Sequence, residues 1–275
     1  MEFLGKAFSK GGGLYERRYI DVFYVFRKEM SKHMELDRQD CNVLKGLAII
    51  CIVLHNYCHV LSGAPAENEY SWAYERTVYF WSVLPNVFFI NLFSFMGHYG
   101  VSIFVFLSGY GLMRKYVGEK LVWNKFFIGH YLKLLKLMLP GLVSYIFIFK
   151  IVYGGFDGIN EFKFVGQVLF FSNLFQPHYL SIVPGPYWYF GLTMQIYVFF
   201  LIFRRHVLNL CIFTIFCLFL LVLSADYPLL TIGLKYNIVG SSLSFLIGVL
   251  FAKYSQFFVI SFNKKVLLIL IYSLF

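Results

Sequence analysis

LKGLAIICIVLHNYCHV, residues 44–60, is oily enough to sit in a lipid bilayer, yet it opens beside Lys45 and carries two histidines four apart, His55 and His59. A hydrocarbon core is about 30 Å thick and takes roughly 20 helical residues to cross. The chain offers apolar runs near that length repeatedly along its 275 residues. Hydrophobic residues make up 59% of it and charged residues only 14%, with a mean hydropathy of +0.68. That balance leaves too little polar surface for a water-soluble domain. The runs lack the period-two alternation of a membrane barrel, and in lipid every backbone polar group has to be satisfied internally. The expected fold is therefore all-α: a polytopic transmembrane helical bundle of about seven or eight membrane segments, the last one incomplete.

Charge and cysteine content exclude other classes. Lys and Arg number 24 against 14 Asp and Glu, a formal charge of +10. In a membrane chain such an excess is explained first by cytoplasmic loops and anionic lipid, so membrane lipid is an expected partner and nucleic acid is not. The five cysteines form no CxxC pair, and Cys51, Cys58, Cys211 and Cys217 lie inside apolar runs, where thiols act as small hydrophobes. No disulfide framework is implied.

Residues 1–42 mix acids and bases around GGG at 11–13 and show no signal-peptide pattern. They read as a cytoplasmic N-terminal extension to a transmembrane domain over 43–275. The first span is expected at 43–62, and the acid-rich loop after it, with Glu67, Glu69 and Glu75, places that side outside. Residues 78–117 are long enough for two spans, but the chain has to be inside again at Arg114, Lys115, Lys120 and Lys125. One span is therefore assigned near 98–116, with 79–96 along the outer interface or re-entering. Further spans are expected near 132–153, 187–205, 207–224 and 229–251, with an interrupted outer-face loop and a short buried helix in the segment up to Pro186. The last apolar run, after Lys264 and Lys265, stops at Phe275 at half a span's length and reads as cut short.

Cys51, His55 and His59 fall at i, i+4 and i+8 on one helical stripe. Cys51 and His59 are about 12 Å apart along the axis, too far to share one zinc ion, and no carboxylate lies in the span, so no metal is expected. A membrane histidine often serves only as an interhelical hydrogen bond. Ionisable groups inside a membrane are costly, however, and a neutral imidazole can take the proton of a hydroxyl attacking a carbonyl, the task of a general base. His55 is expected to be catalytic, with His59 as the other candidate.

DRQDCNVLKGLAIICIVLHNY (37–57), GHYGVSIFVFLSGYGLMRKY (97–116), FFIGHYLKLLKLMLP (126–140) and PYWYFGLTMQIYVFF (186–200), in this order, resemble the acyltransferase 3 family of integral-membrane O-acyltransferases. The resemblance implies transfer of an acyl group, most commonly acetyl from acetyl-CoA on the cytoplasmic side, to a hydroxyl of an envelope carbohydrate or similar acceptor. It implies acyl-CoA as a co-substrate with no permanently bound cofactor, and a bacterial inner membrane with the N-terminus cytoplasmic.

Departures from the family pattern matter as much. The family's first helix carries an arginine, ten intervening residues and the histidine. Here Lys45 stands for the arginine, only nine residues precede His55, and Asn56 occupies the expected register. This spacing leaves Lys45 and His55 about 80° apart around the helix. Lys133 and Lys136 resemble the family's basic pair and are expected, with Lys45 and Arg114, to hold the phosphates of acyl-CoA, as point charges lacking arginine's fork where the residue is lysine. Positive-inside anchoring accounts for each lysine equally well. Ser108 in VFLSGYG lacks a GxSxG elbow and is expected to line an acyl channel rather than attack. Trp188 and Tyr197 match the family's WxL-type motif, with Thr193 in place of its glutamate and Gln195 following; Trp188, Gln195, Tyr197 and Asn56 join Ser108 as expected channel lining. The alternative is a non-catalytic protein, either a transporter-like bundle or a truncated inactive relative; of these, a transporter typically shows paired interrupted helices in two related halves. None is found.

Overall fold

The computed structural model describes residues 35–59, 61, 74–83, 88–155, 161–174 and 187–254. The N-terminal extension up to 34 and the final apolar run lie outside the described residues. Those described form ten α-helices and no strand, which makes the protein an all-α membrane bundle.

Helix α1 (Arg38–His59) starts five residues before the span expected at 43. The reason is a reciprocal cap in DRQD: Asp40 N–H donates to Asp37 Oδ1 at 2.8 Å and Asp37 N–H to Asp40 Oδ2 at 3.0 Å. Two N–H groups at the helix start are thus satisfied by two short carboxylates, in the manner of a capping box.

The second span starts earlier still. Helix α3 (Phe88–Met96), a single 3₁₀ turn (Gly97–Tyr99) and α4 (Gly100–Tyr116) run on as one apolar stretch from Phe88 to Tyr116. Residues 88–96, expected at the outer interface or re-entering, instead form the first part of this stretch and pack on α1. Helix α2 (Tyr74–Val83) leans on α3 by stacking Phe80 on Phe95, with ring centroids 4.3 Å apart.

Helix α5 (Trp123–Tyr153) ends on Gly154, whose left-handed φ of 73° suits a residue without Cβ. Pro140 inside it has no N–H to offer the Lys136 carbonyl. A short helix, α6 (Glu161–Val168), follows. Helices α7 (Trp188–Phe203) and α8 (Val207–Leu223) match the expected spans closely. The segment expected as one helix over 229–251 is two, α9 (Pro228–Lys235) and α10 (Ile238–Tyr254). Asn237 makes the break, its Oδ1 accepting from Val239 N–H at 2.9 Å as the cap of α10.

The most intimate packing is between α4 and α10. A Cβ on Gly109 would strike the Phe245 carbonyl, and one on Gly248 would strike the Phe106 carbonyl, so bare backbone on each helix admits the other. Close approach through small residues is how membrane helices gain dispersion energy without help from water. Around this contact Phe106, Ile103, Leu192, Ile196, Phe200 and Phe245 form the main core. Leu208, Ile212, Ile215, Phe219 and Val222 of α8 are exposed, as expected of a face that meets lipid tails.

Candidate active site

Buried positions on α1 are Leu44, Ala48, Cys51, His55 and Cys58, one inward stripe at helical spacing. Exposed Val43, Leu47, Ile50, Val53 and Tyr57 face away from it. The stripe decides the register: His55 points into the bundle, while Asn56 is exposed and spends its amide on the Ile52 carbonyl at 2.8 Å. Lys45 is also exposed, as its angular offset from His55 requires. His59 closes α1, and its side chain lies outside the described residues.

His55 Nδ1 is 3.0 Å from the carbonyl oxygen of Phe93 on α3. A carbonyl can only accept, so Nδ1 carries the hydrogen in this contact and Nε2 carries the lone pair. The backbone of α3 thereby favours the tautomer with its hydrogen on Nδ1.

The 3₁₀ turn brings a second imidazole to the same place. His98 is 3% exposed and His55 7%, and their ring centroids are 5.4 Å apart in an edge-to-face arrangement. Two glycines allow it. A Cβ on Gly97 would sit 2.7 Å from both the Cys51 carbonyl oxygen and His55 Cβ, and one on Gly100 would sit 2.6 Å from the Ala48 carbonyl oxygen. Any side chain there would push the turn, and His98 with it, off α1. Sequence reasoning passed over His98; the signal was the histidine held between two glycines in GHYG.

The expected phosphate-binding residues are dispersed. Lys133 and Lys136 are exposed on α5. Arg114, at the end of α4, lays its guanidinium on the carboxylate of Glu35, Nη1 to Oε1 at 3.1 Å and Nη2 to Oε2 at 2.6 Å. Beside it, the Tyr110 hydroxyl donates to the Leu36 carbonyl at 2.8 Å, so α4 tethers the chain just before α1.

His130, another residue the sequence left unassigned, is held by the Phe126 carbonyl at 2.8 Å and packs against Tyr197 at a centroid distance of 4.3 Å. Phe126, Tyr116 and Phe200 complete an aromatic cluster around it, one helical turn before Lys133. Tyr197 belongs to this cluster.

Ser108 donates to the Phe104 carbonyl at 2.8 Å and Thr193 to the Tyr189 carbonyl at 2.8 Å, each within its own helix, and the Phe104 and Tyr189 rings meet edge to face at a centroid distance of 6.2 Å between α4 and α7. Gln195 bridges three segments, giving its amide hydrogen to Asn173 Oδ1 at 3.1 Å and accepting from Ile238 N–H at 2.9 Å. Trp188 sets its ring edge-on against Tyr236 at 5.0 Å. The structure thus joins His55 to His98 and Tyr197 to His130, while Lys45, Lys133 and Lys136 are exposed.

No curated protein and no solved structure matches the chain. The sequence model of the acyltransferase domain described as Acyl_transf_3 matches residues 38–275, from the capped start of α1 onward. On that match, with apolar helices long enough to cross a membrane and the buried histidine of its first span, the chain belongs to the acyltransferase 3 family and is an integral-membrane acyltransferase.

Proposed function

We propose that the protein moves an acetyl group from acetyl-CoA to a hydroxyl of an envelope carbohydrate, with His55 as general base. One observation supports this reading: an imidazole buried in the bundle and held through Nδ1 by a backbone carbonyl, which leaves the lone pair on Nε2. His55 Nε2 takes the proton of the acceptor hydroxyl as its oxygen attacks the thioester carbonyl. The tetrahedral intermediate collapses, the carbon–sulfur bond breaks, and the departing thiolate recovers the proton from His55 as CoA thiol. Charge changes hands without net loss, so one histidine serves both half-steps.

Arg114, Lys115, Lys120, Lys125, Arg204 and Arg205 cluster at the helix ends around α4, α5 and α7, and by the positive-inside rule this end faces the cytoplasm of a bacterial inner membrane. His55 lies about 25 Å along α1 from Arg38, and Lys133 about 15 Å along α5 from Trp123. Phosphates held at Lys133 and Lys136 would leave the thioester on the order of 10 Å to reach, inward along the bundle. The acceptor then arrives at His55 from the opposite face.

Purified protein in nanodiscs, given radiolabelled acetyl-CoA and envelope glycans, is expected to label a carbohydrate hydroxyl and to lose that labelling in His55→Ala. Undiminished labelling in His55→Ala would defeat the assignment.

A further inference from the structure

We infer that His130 is a phosphate ligand for the acyl donor and takes up a proton on Nε2 as the donor binds, so that donor affinity depends on pH. The inference rests on the acyl-CoA reading above and adds a residue to its binding surface.

The ring is held on several sides. Its Nδ1 is 2.8 Å from the Phe126 carbonyl oxygen one turn earlier, and since a carbonyl can only accept, Nδ1 holds the hydrogen and Nε2 the lone pair. The Phe126 ring of the same helix lies 4.1 Å away, Tyr197 of α7 4.3 Å and Tyr116 of α4 6.4 Å, centroid to centroid. Phe200 packs behind Phe126 and Tyr116. One turn past Phe200, Arg204 donates from Nη1 to the Glu119 carbonyl at 2.9 Å and so pins the loop between α4 and α5 at the same end of the bundle. Three helices thus meet on one half-buried imidazole, and the aromatic faces around it stabilise an imidazolium once it forms.

Charged groups of both signs stand on the elements that meet there. On α5 they are Lys125, Lys133 and Lys136; α4 brings Lys115, its ammonium 4.8 Å from the Tyr116 ring, and Arg114, paired with Glu35. The connecting loop has Glu119 and Lys120, the end of α7 has Arg204 and Arg205, and Tyr116 and Tyr197 are the phenols against the ring. The acids of the extension up to 34 lie outside the described residues. Helical side chains lean toward the helix N-terminus, so Lys133 reaches back over the turn that holds His130, and Lys133 and Lys115 both act electrostatically on the ring. This excess of cations suits a multiply charged phosphate. A phosphate oxygen only accepts, however, and the hydrogen on Nδ1 is already committed to Phe126, so the ring can grip phosphate only by holding a second hydrogen on Nε2. That proton comes from solvent: one N–H bond forms, and no bond of the donor breaks. The sign of the coupling follows, since phosphate favours the charged ring. Its contribution is full at pH values below the titration of the free ring, ordinarily about 6.5, and is lost as pH rises through the titration of the complex.

The test uses full-length protein in phosphatidylcholine nanodiscs, with CoA as the probe and no acceptor, by titration calorimetry at about pH 7.5 in buffers of different ionisation heat. A phosphate monoester titrates near pH ~6, so at this pH that of CoA is ionised before it binds and takes up no proton of its own. Wild type should take up roughly half a proton per CoA bound, and His130→Gln, which stays polar without titrating, close to none. The dissociation constant of His130→Gln should exceed that of wild type about tenfold at about pH 6 and less than about twofold at about pH 8.5. A wild-type protein that binds CoA without proton uptake overturns the inference whether or not the variant folds, and a ring already charged by an acid of the extension gives this result. Equal uptake in wild type and in a His130→Gln protein of wild-type melting temperature also overturns it, by assigning the proton to another group. His130→Asn repeats that comparison if the glutamine protein does not fold. A wild-type protein that binds no CoA defeats the proposed donor, and the inference with it.

Discussion

Gln195 on α7 holds the first N–H of α10, that of Ile238, at 2.9 Å, while its amide nitrogen donates to Asn173 at 3.1 Å. Asn173 in turn donates to the Tyr236 carbonyl at 3.0 Å, and its oxygen packs where Gly191 lacks a Cβ. One glutamine thus ties three segments together. Gln195→Ala strands a helix-start N–H and the Asn173 carbonyl oxygen, each costing about 1–3 kcal/mol when buried. A clear drop in melting temperature in detergent is expected, larger than for Gln195→Glu, which keeps the acceptor. An unchanged melting curve would show that the clamp carries no load.

His55→Gln retains a donor for the Phe93 carbonyl but has no basic nitrogen. Acetyl transfer should fall by about 10²- to 10⁴-fold with stability near wild type. Single-turnover rates with pre-bound acetyl-CoA check this, because they separate the chemical step from binding.

Lys133 and Lys136 are exposed, so under the proposed function their pull on the phosphates of acyl-CoA would be a screened attraction. Replacing both by alanine should raise the KM for acetyl-CoA about tenfold without changing kcat, and added salt should raise the wild-type KM in the same direction. Replacing both by arginine should lower KM, since the fork can grip phosphate bidentately. Initial rates over a range of ionic strengths test all three.

Arg114 was expected from the sequence to bind phosphate, but its guanidinium is occupied by Glu35. Arg114→Ala should therefore change the KM for acetyl-CoA less than the double lysine replacement. The ion pair is partly solvent-exposed on both sides, 45% and 35%, and pairs of this kind contribute about 0–1 kcal/mol. If Glu35→Gln tightens acetyl-CoA binding by calorimetry, the arginine is a phosphate ligand held in check, and this prediction fails.

Gly248→Leu should prevent α10 from docking on α4, because its side chain would have to occupy the space of the Phe106 backbone. Loss of folded protein on detergent gel filtration is the expected result. Gly111→Ala, on the exposed side of α4 where nothing lies within 4 Å, serves as the control and should behave as wild type.

Membrane class and the helical architecture were legible in the chain alone. Hydropathy and the length of an apolar run are local properties, and a bilayer imposes the same demands on any segment that crosses it. The cap that starts α1 was also written locally, in DRQD. What tertiary structure decided was every relation across helices. Periodicity places His55 and Asn56 about 100° apart but cannot say which faces inward until a neighbour is in place, and that neighbour is α3, whose Phe93 carbonyl takes the His55 hydrogen. His98 reaches His55 only because Gly97 and Gly100 let two backbones touch, and Gln195 finds Ile238 43 residues away. A side chain's chemistry is fixed by its own atoms, whereas its partner depends on which helices pack together and how far each is turned. In this protein, steric fit at a few glycines settles that.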